Sequence, residues 1–188
     1  MIKIENWTFL RTEIYFDKEQ KLYKTRICSM AKEVDFKSKL VRVSGIISNT
    51  GELFTSGNGI DTYSEDSITT LNGEILHLGK INPFYSDFIN AVRNELPIMT
   101  EVSLTRNEVG KYLLKGNLSN KQKQNVVFKG EIVRQDVYKN LLYFADKSYA
   151  FIDWVNVKFD DKVKLDFIRK KLDFTEFVGM NIMPIFKF

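Results

Sequence analysis

The chain holds a single histidine, His77. General acid–base or metal chemistry needs partner groups at set spacing around such a residue. No Ser-His, Cys-His or His-x-x-His pattern accompanies it, so His77 reads as a strand residue opposite Ile68. Gly57-Asn58-Gly59 has the glycine content of a phosphate-cradling loop. It lacks the Lys-Ser/Thr ending of a P-loop and the strand–helix context of a dinucleotide site, and reads as a turn. Asp160-Asp161 offers two carboxylates to a divalent ion. The same pair suits a helix start, where negative charge meets the macrodipole. No catalytic residue, metal ligand or cofactor follows from these patterns, and the expectation is a non-enzyme.

One charged stretch has the makings of a binding surface. Residues 109–130 contain Lys111, Lys115, Lys121, Lys123 and Lys129, no acidic residue, and Tyr112 and Phe128 among the lysines. Cationic side chains interleaved with aromatics are how sheet surfaces hold single-stranded nucleic acid, by phosphate contact and base stacking. Lys111, Tyr112, Lys115, Lys121, Lys123 and Lys129 are therefore the candidate nucleic-acid contacts. The plainer reading is a polar hairpin loop over 119–125, with lysines for solubility and the aromatics turned to the core. Trp7 and Trp154 are expected to fill core, each indole N–H satisfied at a rim.

Composition narrows the field. At 188 residues, with 44% hydrophobic content, 15 Phe and 8 Tyr, the chain can pack an interior and is not globally disordered. The β-branched and aromatic supply favours strands. A net charge of +4 permits a nucleic-acid or acidic partner without demanding one. With Cys28 alone there is no disulfide framework, which points to a reducing intracellular compartment. Residues 1–10 hold no signal-peptide core, and no apolar run nears the ~20 residues that cross a bilayer. A soluble cytoplasmic or nuclear protein without membrane contact is expected.

The elements follow from local pattern. Strands are expected at Ile2–Phe9, Thr12–Phe16, Leu22–Ser29, Leu40–Ile47 and Glu52–Thr55. Asn72-Gly73 lies between two β-prone runs and predicts a type I′ hairpin with Leu71 facing Glu74 and Ile68 facing His77. Asn82-Pro83 opens a helix with Phe84, Phe88, Val92 and Leu96 on one face, ended by Pro97. Strands resume at Val102–Arg106, Tyr112–Leu118, Val126–Val133, Leu141–Ala145 and Tyr149–Phe159, and Asp160 or Asp161 caps a last helix through about Phe177. No internal repeat is visible. The expected fold is β-rich α+β, a mostly antiparallel curved sheet, barrel or sandwich with two covering helices. Residues 1–100 would form a β-rich domain with its closing helix, and 101–188 strands plus a helix sharing the same core.

Taken together, Trp7, the Leu40-to-Gly45 strand, Phe54-Thr55-Ser56, Ile60, Asn72-Gly73, Leu76, Leu78-Gly79 and Ile81-Asn82 resemble the SANTA (SANT-associated) domain of centromere and kinetochore proteins. The resemblance covers the first half of the chain and departs at Thr8, at Glu95-Leu96-Pro97, and in the missing Trp after Pro97. It implies a non-catalytic module making protein–protein contacts on chromatin, with no catalytic residues. The function expected is thus a binding or adaptor protein with a protein partner. The alternative is an OB-like single-stranded nucleic-acid-binding protein.

Overall fold

The computed structural model describes residues 1–36, 38–119, 125–136 and 138–163. Of these, residues 1–86 form one compact unit and 87–163 a second. The fold is β-rich α+β.

The first unit contains β1 (Ile2–Asp17), β2 (Leu22–Met30), β3 (Val41–Ile47), β4 (Leu53–Thr55), β5 (Ile60–Tyr63), β6 (Ser67–Thr70) and β7 (Ile75–Leu78). They pair in the order β4-β3-β1-β7-β6-β5, with β2 added to β1. Ser56 carries the chain from β4 toward β5: its N–H donates to Val43 O at 2.9 Å and its Oγ accepts from Val43 N at 3.2 Å. With β4 and β5 as halves of one broken strand, five strands close into a small barrel. Its first and last strands, β1 and β7, run parallel. Alternation sends Ile4, Phe9, Val43, Ile68, Leu76 and Leu78 inward.

The division between the units falls within α1 (Pro83–Arg93). The second unit continues with β8 (Ile98–Arg106), β9 (Tyr112–Ser119), β10 (Asn125–Asp136), β11 (Leu141–Phe144), β12 (Tyr149–Ile152) and β13 (Lys158–Phe159). Each strand from β8 to β12 pairs with the next, and β12 returns to pair β8 in parallel. This barrel is a meander, whereas an OB build is a Greek key. Leu104, Leu114, Ile132, Leu142, Phe144 and Ile152 fill its interior.

The two barrels are copies of one plan, strand for strand, although no repeat is visible in the sequence. β1 is interrupted between Glu5 and Thr8, and β8 between Thr100 and Ser103. Asn6 and Glu101 sit in those interruptions, each with φ 52°. Opposite them, Gly45 pairs with Phe54 and Gly116 with Phe128. A second bulge follows Ile60 in the one and Ile132 in the other. Leu71 N donates to Gly59 O, as Ala145 N does to Glu131 O, both at 2.9 Å. Asn82 Oδ1 then accepts from Tyr85 N (3.1 Å) and Asp160 Oδ1 from Val163 N (2.9 Å), capping the helical segment that follows each barrel. The main difference is an insertion. The first barrel joins Arg11 to Val41 through 29 residues, where the second has only the turn between Arg106 and Tyr112.

Three local expectations need correction. The turn at Asn72-Gly73 is not type I′: Gly73 N donates to Thr70 O, and among the described residues Gly73 (φ 82°), but not Asn72, has positive φ. The loop therefore has three residues, with Gly73 in the left-handed position after a type I-like turn. Thr70 Oγ1 decides this by donating to Asn72 Oδ1 and accepting from Glu74 N at 3.1 Å. The register moves by one, so Ser67 faces His77 and Ile68 faces Leu76. The helix α1 stops at Arg93 rather than Leu96. Leu96 N donates to Ala91 O and Glu95 N to Val92 O, with Glu95 at φ 54°, a Schellman ending that acts before Pro97 can. The Tyr149–Phe159 strand is broken into β12 and β13. The predicted last helix is helical over 161–163; the rest of it lies outside the described residues.

Candidate binding surfaces

The lysine-rich stretch of the second barrel separates by strand alternation. Tyr112 points inward, buried, with the Arg106 guanidinium 5.5 Å from its ring centre. Phe128 packs on Phe144 at 4.7 Å between centroids. Tyr112 therefore offers no ring face to a base, while Phe128 is half-buried. Lys111 is exposed but ion-paired, its Nζ 2.8 Å from Glu131 Oε1. Lys115 and Lys129 are exposed and directly opposite each other on β9 and β10. Lys121 and Lys123 lie outside the described residues.

His77 sits on β7 between Ser67 of β6 and Lys3 of β1. No three His, Cys, Asp or Glu side chains converge among the described residues. Cys28 is buried, its Sγ 3.3 Å from Arg11 O. Trp7 donates Nε1–H to Gly79 O at 2.9 Å. Tyr85 donates its hydroxyl to Ala31 O at 2.8 Å, and burial pushes its phenol well above the usual value. A groove of about 720 Å³ runs beside Lys3, Glu5, Lys80 and Pro83. Glu5 is already engaged there by Lys3 Nζ at 2.7 Å and Lys80 N at 2.6 Å, contacts that hold its carboxyl below the usual range.

The residues that resemble a SANTA domain come together in the first barrel as internal pairings. Trp7 meets Gly79, Lys80 and Asn82 through its side chain, N–H and C=O, and Val43 meets Ser56. These pairings hold strands together, while Thr55, Asn72 and Gly73 of the same set are exposed.

Sequence reasoning missed the surface built by the insertion. Beyond Arg11, β1 runs on to Asp17 and returns as β2, a two-stranded arm with Phe16 opposite Tyr23 and Ile14 opposite Thr25. Alternation sorts its faces. On one, Arg26 pairs with Glu13 at 2.5 Å and sits over the Tyr15 ring, while Lys24 pairs with Asp17 at 2.6 Å. On the other lie Ile14, Phe16 and Tyr23, exposed by 63%, 49% and 74%. Phe16 and Tyr23 meet edge to face at 5.2 Å. Among the described residues β2 pairs with β1 alone. The signal for the arm was present in the alternation of Ile14, Phe16 and Tyr23, but nothing local says which face is covered.

No family model matches the chain, and comparison with curated proteins and with solved structures returns no match either.

Proposed function

We propose that this chain is a non-catalytic binding protein, an adaptor that meets a protein partner through the β1–β2 arm. The observation that carries this reading is the exposed apolar face of Ile14, Phe16 and Tyr23 on an arm that the second barrel does without. Three large apolar side chains held in water on one face of a hairpin are costly unless something covers them. The ion-paired face opposite keeps the arm's register. Both barrel interiors are packed with apolar side chains, which supports the non-catalytic part. Action on chromatin is the finer proposal, supported by the SANTA resemblance.

The test compares wild type with the double variant Phe16→Ser, Tyr23→Ser as baits in extract of the native host. A protein retained by wild type and lost with the variant, at unchanged Tm, supports the reading. Retention of every partner by the variant overturns the role of the arm. Turnover of a phosphodiester, peptide or nucleotide substrate that His77→Ala abolishes in a folded protein overturns the non-catalytic part.

A further inference from the structure

We propose that the outer face of the second barrel binds the phosphate backbone of nucleic acid through Lys115, Lys129 and Lys158, without reading sequence. Strand registers set the three in one row. Lys158 of β13 pairs with Ser103 of β8, Ser103 with Lys115 of β9, and Lys115 with Lys129 of β10. Residues paired across a ladder point to the same face, and all three lysines are exposed. Lys158 joins the row only in three dimensions, being far along the chain from the other two.

Like charges directly opposite on neighbouring strands destabilise a sheet unless something neutralises them. None of the three lysines has an ion-pair partner among the described residues. Two carboxylates on the same strands are engaged elsewhere: Glu131 by Lys111 at 2.8 Å and Glu101 by Asn117 Nδ2 at 2.7 Å. The barrel plan does not require cations here. In the first barrel the matching row is Thr8, Ser44 and Thr55, closed by a 2.8 Å hydrogen bond between the Ser44 and Thr55 hydroxyls. Thr8 thus matches Ser103, while the hydroxyl pair Ser44 and Thr55 is replaced by Lys115 and Lys129, with Lys158 added beside Ser103.

A row spanning three strand spacings is about 14 Å long. Along a duplex axis the phosphates of one strand rise ~3.4 Å each, so about four of them fall within that length. Tyr112 is buried and Phe128 half-buried against Phe144, both on the strand face opposite Lys115 and Lys129, so the row meets backbone, and single strands and duplexes of any sequence are both ligands.

The test is fluorescence anisotropy on the full chain with labelled 20-nucleotide single strands and duplexes of two unrelated sequences, across a salt series. Three phosphate contacts give a slope of log K against log salt of about −2.7 on duplex and about −2.1 on single strands. Lys115→Gln, Lys129→Gln and Lys158→Gln should each shallow that slope by nearly one unit on both sequences at unchanged Tm. Lys139→Gln, off the row, should not. Wild-type binding that is absent or salt-independent overturns the proposal. So does unaltered binding by Lys158→Gln, which would move the contact to other lysines. Tighter binding of a labelled polyglutamate peptide than of either oligonucleotide would assign the row to an acidic protein instead, and the proposal would fall.

Discussion

Gly45 of the first barrel and Gly116 of the second stand at the same point of the same strand, each facing the interruption that holds a residue at φ 52°. A Cβ on Gly45 would lie 2.6 Å from Glu5 O, and one on Gly116 2.8 Å from Thr100 O. Neighbouring backbone comes so close only because no side chain is there. The two glycines are the clearest residue-level mark of the repeated plan.

Gly45→Ala and Gly116→Ala should each destabilise by about 1–3 kcal/mol, because each new Cβ would meet backbone oxygen that cannot step aside, besides the side chain of Ile4 or Met99. Gly57→Ala, with nothing within 4 Å, is the control and should stay near neutral. Denaturant midpoints report the difference. Equal midpoints for all three variants would show that the bulges relax freely.

Gly73 and Lys147 occupy the same left-handed place in the two equivalent hairpins, at φ 82° and 68°. Gly73→Val should cost about 1–2 kcal/mol or more, since a β-branched residue resists that geometry. Lys147→Gly should stabilise by up to about 1 kcal/mol. Thermal melts with opposite signs for the two changes are the expected result; a common sign would contradict the equivalence.

Thr70→Val keeps the shape of a buried side chain and removes the hydroxyl that organises the Asn72-Gly73 loop. A loss of about 1–2 kcal/mol is expected, as for a hydrogen bond whose partners stay behind. Amide exchange at Glu74 should rise in parallel. Unchanged exchange there would mean that Gly73 alone sets the turn.

Asp87 is held above the ordinary carboxyl range by burial, against the opposing hydrogen bond from Asn140 Nδ2 at 2.5 Å. The folded state therefore keeps this proton longer than the unfolded one. Its contribution is present below the unfolded pKa and lost as pH rises through the folded value. Asp87→Asn abolishes that dependence, so the variant should gain on wild type as pH rises from the ordinary carboxyl value through the raised folded one, and level off above it. A stability difference that does not vary with pH would show that Asp87 titrates normally.

Local chemistry wrote several of these features directly. Asn82 caps α1 because a short carbonyl side chain before proline can satisfy a free helical N–H, whatever the rest of the chain does. Trp7 places its N–H on the Gly79 carbonyl, as a buried indole usually does. Gly73 takes positive φ because its neighbours need a reversal there. What failed locally failed by competition: the Thr70 hydroxyl outbid the Asn-Gly turn type, and the Schellman ending at Glu95 preceded the stop at Pro97.

The repeat, the exposure of the arm's apolar face and the lysine row belong to the tertiary structure alone. A barrel strand asks only for apolar residues inward and a small one opposite its bulge. Val43-Ser44-Gly45 and Leu114-Lys115-Gly116 meet that demand equally while sharing one residue in three. Outward positions are free to diverge, so resemblance between the copies fades from the sequence while the pairing registers keep it. Whether Phe16 and Tyr23 are covered, and whether Lys158 stands beside Lys115, depends on which distant strands lie next to them. Strand neighbours are set by closing each barrel on its core, a global condition that no window of sequence contains.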